Sequence, residues 1–208
     1  RDSIIEPVLG RDILSLATIA KPALFRQTFE LAMRYPAQEL SLQKMLGQLQ
    51  DRGNVTTIKH YLELLEGAFL VKILYKFATS SVRARSSSPK ILPLNTALVH
   101  AFTQPEELDS SPEWRGRLVE AAVGAHLLGD NELYYWRSGT DEVDFVFPHR
   151  KSILGIEVKS GRRRLGKGLA KFCKFYDKAI PIIIDSDNLE EFLLSPNGQE
   201  YILAKYAQ

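Results

Sequence analysis

The chain has 208 residues, of which 45% are hydrophobic and 25% are charged, and its formal net charge is +2. These fractions are typical of a soluble globular protein with room for one large domain or two small ones, and so small a charge does not by itself indicate a nucleic-acid-binding protein. The single cysteine, Cys173, excludes an internal disulfide framework and favours a cytoplasmic location, and no run of about 18 apolar residues predicts a membrane span.

The first residues, RDSIIEPVLGRDIL, include no initiating Met. They also lack the pattern of a signal peptide, and they read like the interior of a longer sequence. We therefore expect a fragment, with an upstream domain missing.

Helical periodicity dominates the first half of the chain, up to about Phe77. Three helices are predicted, of which the first ends at Tyr35 and the second is capped by Ser41. A strand or hairpin arm, AFLVKILYKF, follows the third helix. Two short helices, a turn with glycine and a strand pair indicate a winged-helix-like domain over residues 1–80. The apolar positions that repeat at helical spacing are Phe25, Phe29, Ala32 and Met33, then Leu42, Met45, Leu46 and Leu49, then Ile58, Tyr61, Leu62 and Leu65.

A winged helix suggests DNA binding through its third helix, with packing against a partner domain as the alternative. Phosphate contact needs a basic helix face. The outward face of the third helix is mixed to acidic, which favours the alternative. A basic, Ser-rich segment, SSVRARSSSPK, follows the wing and is the predicted domain boundary. The outward residues of the third helix are Thr57, Lys59, His60, Glu63 and Glu66.

The second half of the chain alternates between helices and strands. The segment KILPL predicts a strand, TALVHAF a short helix and SPEWRGRLVEAAVGAHLL a longer helix. Three strands (LYYWR, EVDFVF and ILGIEVKS), an amphipathic helix and the strand IPIIID follow, and a short helix near residues 188–194 and a last strand, YILAK, end the chain. The predicted fold is α/β, with an αβββαβ domain over residues 88–208. The amphipathic helix carries Leu169, Phe172, Cys173 and Tyr176 on one face.

Charged residues interrupt two of these strands. Glu157 and Lys159 are two positions apart and therefore project from the same face of their strand. Asp144 lies on the preceding strand, where a hairpin can bring it beside Glu157. Two carboxylates this close repel each other, and a divalent cation with oxygen ligands, Mg²⁺ or Mn²⁺, resolves the repulsion.

Glu120 is a further candidate for this site. It has Val123, Gly124 and Leu127 on the same face of its helix, so it points toward the apolar side. A glutamate in that position either reaches the same metal or forms an ion pair with an arginine such as Arg117 or Arg137.

Two resemblances follow from these motifs. The pair DEVDFVF and GIEVKSG resembles the Asp…Glu-x-Lys signature of the PD-(D/E)XK nuclease superfamily, and the helix, three strands, helix, strand order resembles its restriction-endonuclease-like core. Over nearly its full length, the chain also resembles the C-terminal region of a prokaryotic ATPase family, in which an AAA-type ATPase domain precedes a winged helix and a nuclease-like domain of unknown function. The segments that carry this second resemblance are RDILSLA, HYLELLEGAFLV, SPKILPLNTALVHAF, GRLVEAAVGAHLL, LYYWRSGTDEVDFVF and GIEVKSG.

The nuclease resemblance implies a divalent-metal-dependent endonuclease that acts on DNA or binds it. Asp144, Glu157 and Lys159 would be catalytic, and Glu120, Asp144 and Glu157 would hold Mg²⁺ or Mn²⁺. The ATPase resemblance implies that ATP is bound only in the missing upstream domain. Asn95 departs from the pattern, since members of that family usually carry an Asp near this position.

A basic segment, GRRRLGKG, follows the strand with Glu157 and nearly spells a phosphate-binding P-loop. Gly168 stands where a P-loop has Ser or Thr. We expect instead that Arg162, Arg163, Arg164 and Lys167 contact a nucleic-acid backbone beside the acidic site.

Three classes of function remain open. The first is a metal-dependent nuclease, and the second is a catalytically silent module that regulates or targets the missing ATPase. The third is a structural domain that forms a homo-oligomer. The intact acid, acid-x-lysine set favours the first over the third, whereas Asn95 and the mixed charge of the third helix favour the second.

Overall fold

The computed structural model describes residues 19–49, 53–78, 87–103, 111–159 and 166–207, which form a mixed α/β fold. The helices are α1 (Pro22–Arg34), α2 (Leu42–Gln48), α3 (Val55–Gly67), α4 (Thr96–Phe102), α5 (Pro112–His126), α6 (Lys167–Phe175), α7 (Leu189–Leu194) and α8 (Gly198–Tyr206). The strands are β1 (Gln38–Glu39), β2 (Val71–Lys76), β3 (Lys90–Pro93), β4 (Tyr134–Ser138), β5 (Asp141–His149), β6 (Ser152–Val158) and β7 (Ala179–Ile184), and they are ordered β1-β3-β2-β4-β5-β6-β7. None of these helices combines the length and the apolar content that a bilayer crossing requires.

The chain divides into two compact units. Unit 1 comprises Arg1–Ile73 and Ser88–Ser111, and unit 2 comprises Leu74–Ser87 and Pro112–Gln208. β3 and α4 therefore lie in unit 1, although the sequence pattern groups them with the residues that follow. The division into domains 1–80 and 88–208 stays a prediction, because compactness does not measure independent folding.

Limited proteolysis tests that division. We expect a protease of broad specificity to cut first within SSVRARSSSPK, since Ser-rich and Arg-rich connectors are exposed more often than strands and helices. Residues 80–86 of this segment lie outside the described residues. A first cut within β7 would contradict the predicted boundary, and mass spectrometry of the earliest fragments distinguishes the two results.

Unit 1 is built on the apolar faces that the sequence predicts. The buried residues of α1 and α3 recur at helical spacing, and the rings of Phe25 and Tyr61 meet edge to face with centroids 5.4 Å apart. Asn54 caps α3, because its side chain accepts a hydrogen bond from the amide of Thr57 (2.8 Å). β1 pairs with β3 in antiparallel fashion. The residues predicted for these two faces, all of them buried, are Phe25, Phe29, Ala32 and Met33 in α1 and Ile58, Tyr61, Leu62 and Leu65 in α3.

Unit 2 has the predicted order of a helix, three strands, a helix and a strand. β4, β5 and β6 form an antiparallel meander, and β7 adds to β6 in parallel. The amphipathic helix α6 packs on this sheet through an apolar cluster. Such burial is the main source of stability, at about 25 cal/mol per Å² of apolar surface. The buried members of the cluster are Trp136, Val143, Val146, Leu169 and Phe172, and Cys173 and Tyr176 pack against it.

The end of the chain corrects one prediction. The segment YILAK is part of the helix α8 and is not a strand. Asn197 caps that helix by accepting a hydrogen bond from the amide of Glu200 (3.2 Å). The amide side chain of Gln199, buried in the first turn, makes four hydrogen bonds to Leu127 and Asn131. A short apolar run does not distinguish a strand from a buried helix, and here the cap and the Gln199 contacts favour the helix.

Candidate metal centre

Three carboxylates of unit 2 converge at one point. Glu120 comes from α5, and Glu142 and Asp144 come from β5. One oxygen from each of the three lies within 4.8 Å of the others, and all three residues are half-buried. Within the described ranges this is the group of at least three His, Cys, Asp or Glu side chains that is close enough to hold a metal ion.

The local structure explains how these residues meet. Glu142 and Asp144 are two positions apart on β5 with the buried Val143 between them, so they project together from the strand. Val123 on α5 and Leu127 directly after it are buried, and both lie at helical spacing from Glu120, as the sequence predicts. α5 packs on β6, the strand next to β5, and its glutamate thereby reaches the β5 acids.

The carboxylate of Asp144 is held by a hydrogen bond from the backbone. Its Oδ2 accepts a hydrogen bond from the backbone amide of Val158, with a distance of 2.7 Å. The regular β5–β6 ladder begins one residue later, at the pair of Phe145 and Ile156. The side chain of Asp144 thus serves as the acceptor for an amide at the end of β6.

The donor set suits a hard divalent cation. Carboxylate oxygens are the ligands that Mg²⁺, Mn²⁺ and Ca²⁺ prefer. The three ligand atoms lie within 4.8 Å of one another, which is close enough for one such ion to contact all of them. Glu120 and Asp144 were predicted as ligands, and Glu142 was not.

Glu157, the third predicted ligand, is not a member of this cluster of described residues. It is 7% exposed, forms an ion pair with Lys159 and accepts a hydrogen bond from the amide of Gly166 (3.1 Å). Gly166 has an ordinary negative φ, so its backbone conformation does not require glycine. Glycine is needed because a side chain would not fit. A Cβ there would overlap both oxygens of the Glu157 carboxylate. The predicted pair of Glu157 and Lys159 does come together, with each charge compensating the other.

The predicted phosphate contacts lie mostly beyond what the structure describes. Arg162, Arg163 and Arg164 fall on residues 160–165, outside the described ranges, while Lys167 is exposed at the start of α6. A Cβ at Gly168 would overlap the backbone oxygen of Glu142. This position therefore has no room for the Ser or Thr of a P-loop.

Two other titratable groups of unit 2, Tyr134 and Cys173, have pKa values above their ordinary range. Burial and a hydrogen bond to Glu132 raise the pKa of Tyr134 to about 12. Burial also raises the pKa of the Cys173 thiol, which packs against the α6 cluster. Both groups therefore stay protonated in the range in which they would have to act.

Asn95 has a structural explanation in unit 1. It caps α4, because its side chain accepts a hydrogen bond from the amide of Ala97 (2.9 Å). Asn and Asp are equally good at this position. An Asp at position 95 would therefore make the same cap.

Two family models match successive parts of the chain. Residues 1–109 match the family model Domain of unknown function (DUF8612), and residues 115–195 match Domain of unknown function (DUF4143). Two curated relatives, the uncharacterized proteins Rv2008c of Mycobacterium tuberculosis and Mb2031c of Mycobacterium bovis, are each 29% identical over 76% of this chain. The chain spans 37% of the length of these relatives.

A solved structure, protein VC1899 from Vibrio cholerae, aligns with 91% of this chain and 58% of its own, at 16% identity and a TM-score of 0.28. A score of this size carries no argument about the fold. The first family model, by contrast, covers residues 1–109 of 208, which is more than half of the sequence. The chain therefore belongs to the family described as Domain of unknown function (DUF8612), and its second part carries a match to DUF4143.

Proposed function

We propose that unit 2 is a divalent-metal-dependent, nuclease-like domain that acts on or binds DNA. Glu120, Glu142 and Asp144 would hold Mg²⁺ or Mn²⁺, and Glu157 and Lys159 would act beside them. The observation that carries this proposal is the convergence of three carboxylates within 4.8 Å, next to β6, whose Glu157 pairs with Lys159 directly after the strand. The predicted PD-(D/E)XK assignment is kept, with Glu142 added as a ligand.

The protein groups would have distinct tasks. When bound, the metal ion supplies Lewis acidity to a phosphodiester and to the attacking water. Asp144 is pre-oriented by its hydrogen bond from Val158, so little reorganisation is needed on binding. The ammonium group of Lys159 is held in place by the buried Glu157 and can stabilise negative charge on a phosphate.

A cleavage assay tests the proposal. The wild-type chain is incubated with linear and supercoiled DNA in Mg²⁺, in Mn²⁺ and in EDTA, beside Glu142→Gln and Asp144→Asn. We expect metal-dependent nicking that falls by at least about 100-fold in both variants, since each loses a ligand. Glu113→Gln is the matched control. Its carboxylate lies on α5 like that of Glu120, but it is exposed and paired with Arg117 (2.5 Å). Metal binding without cleavage of any DNA by the wild-type chain would contradict a nuclease.

The second candidate is a catalytically silent module of an AAA-type ATPase. The pairing of Lys159 with Glu157 favours it, because that lysine is already neutralised. In this view ATP is bound only in an upstream domain, and the chain regulates or targets that domain. Assembly as a homo-oligomer is part of the same proposal. The length of the curated relatives, of which this chain spans 37%, leaves room for such a domain.

Unit 1 would be the docking element of either candidate. Its order of helix, strand, two helices and two strands, with β1 paired to β3, supports a winged-helix-like assignment. On α3, Lys59 lies 3.8 Å from Glu63, so its charge is partly compensated. This helix is therefore better suited to a protein partner than to DNA.

DNA binding is expected to depend on the basic segment after β6 and much less on α3. An Arg162–Arg164 triple alanine variant should reduce the salt slope of binding by about one unit for each phosphate contact that is lost. The control is a Lys59 and His60 double alanine variant, which should bind like the wild type. Titrations at several salt concentrations measure both, and the reverse ranking would assign DNA binding to the winged helix.

A further inference from the structure

We propose that Gly168 and Lys171, both on α6, are positioning residues for the metal ligand Glu142. The inference rests on the proposed metal centre and adds the element that sets its geometry. Glu142 lies at the start of β5, where the strand has just left the hairpin from β4. The contacts of α6 fix the backbone at this point from two sides.

The first contact is a close approach at Gly168. This residue lies in the first turn of α6, where glycine is less favourable than alanine by about 1 kcal/mol on helix propensity alone. Its φ is not positive, so the backbone conformation does not require glycine. A Cβ would overlap the backbone oxygen of Glu142 and would lie 2.9 Å from its amide nitrogen. Glycine is therefore needed for the approach to β5.

The atoms on both sides of this contact are backbone atoms, and neither side can yield by turning a side chain. α6 cannot tilt away freely, because Leu169 and Phe172 are buried in the cluster with Val143 and Trp136. A larger residue at position 168 must therefore displace the backbone of Glu142. That displacement would move the carboxylate relative to Glu120 and Asp144.

The second contact is the ion pair of Lys171. Its Nζ lies 2.7 Å from Oδ2 of Asp141, the residue before Glu142, and donates a second hydrogen bond to the backbone oxygen of Ser138 (3.2 Å). The side chain of Lys171 thus links α6 to both ends of the β4–β5 turn. Loss of this ion pair would leave the start of β5 freer to move, and a substitution that removes it need not add any volume.

The measured quantity is the affinity of the folded protein for Mn²⁺, because a residue that only stabilises the fold would not change it. We expect Gly168→Ala to raise the Kd for Mn²⁺ by at least about 10-fold and Lys171→Met by about 3-fold or more, as measured by the electron paramagnetic resonance of free and bound Mn²⁺. Lys171→Arg should restore much of the affinity, since arginine can keep the pair with Asp141. Circular dichroism verifies the fold of each variant.

Two controls match these variants. Gly116→Ala introduces the same methyl group on α5 of the same unit, where no atom lies within 4 Å of the Cβ position. Lys205→Met removes a lysine that is 39% exposed and lies 2.8 Å from a carboxylate oxygen of Glu191, much like Lys171, which is also 39% exposed. Both controls should bind Mn²⁺ like the wild type.

The outcomes separate the two proposals. If the wild type binds no Mn²⁺, the metal centre is refuted and this inference with it. If the wild type binds Mn²⁺ and Glu142→Gln loses it, while Lys171→Met and every folded Gly168→Ala sample bind normally, only the positioning role is refuted. Lys171→Met carries the test alone if Gly168→Ala does not fold, since it adds no volume.

Discussion

Millimolar Mn²⁺ is expected to raise the thermal unfolding midpoint of the wild-type protein, and Glu142→Gln is expected to remove that rise. A ligand that binds only the folded state adds about 2.7 kcal/mol of stability at a concentration 100 times its Kd. For a chain of this length, the midpoint should rise by about 5–10 °C. In EDTA, Glu142→Gln should unfold within about 1 kcal/mol of the wild type, because it removes one of three carboxylates that repel one another.

The measurement is a thermal scan of each protein in EDTA and in Mn²⁺. Glu113→Gln, an exposed glutamate of α5, should keep the full Mn²⁺ shift. A wild-type midpoint that is the same in Mn²⁺ and in EDTA would contradict the metal centre. An equal shift in wild type and Glu142→Gln would show that the ion binds elsewhere.

Glu157→Gln is expected to behave in the opposite way, with a loss of stability in EDTA and an intact Mn²⁺ shift. The side chain of Glu157 is 10% exposed, accepts the amide of Gly166 and pairs with Lys159. Its neutralisation should cost about 1–3 kcal/mol, with the lower part of that range favoured because the side chain of Lys159 is 36% exposed and therefore screened by water.

The control for this variant is Glu63→Gln on α3. It removes an acid of a Lys–Glu pair whose side chains are 56% and 50% exposed, and it should change stability by less than about 0.5 kcal/mol. Scans in EDTA and Mn²⁺ decide the matter. A Glu157→Gln variant that is as stable as the wild type and has lost its Mn²⁺ shift would restore Glu157 as a metal ligand.

The sequence is sufficient for the elements of unit 2 from α5 to β7, because their patterns are local. Leu169 and Phe172 recur at helical spacing, and short apolar strands flank them, so the order of helix, three strands, helix and strand can be predicted. The proximity of Asp144 and Glu157 was predicted from strict alternation in a regular hairpin, and it stays a prediction. In the structure, Val143 and Val146 both pack on the α6 cluster, and the pairing with β4 shifts between Tyr134 and Trp136.

Such an irregularity changes which side chains share a face of the strand, and no residue type in the sequence predicts it. Glu142 could nevertheless have been found, because it lies two positions before Asp144 on the same strand. The roles of Gly166 and Gly168 were beyond prediction. Glycine is required at these positions because elements that are distant in sequence approach closely there. From the sequence alone, a glycine next to a basic loop suggests a turn.

The four hydrogen bonds of Gln199 have a practical consequence for shortened versions of the protein. Its amide oxygen and nitrogen satisfy backbone groups of Leu127 and Asn131, just after α5, the helix that carries Glu120. A version that stops before α8 would leave those buried polar groups without their partners, at about 1–3 kcal/mol for each unsatisfied group. Expression boundaries chosen for crystallisation should therefore retain the chain through Tyr206, even though the last helix is remote in sequence from every candidate ligand.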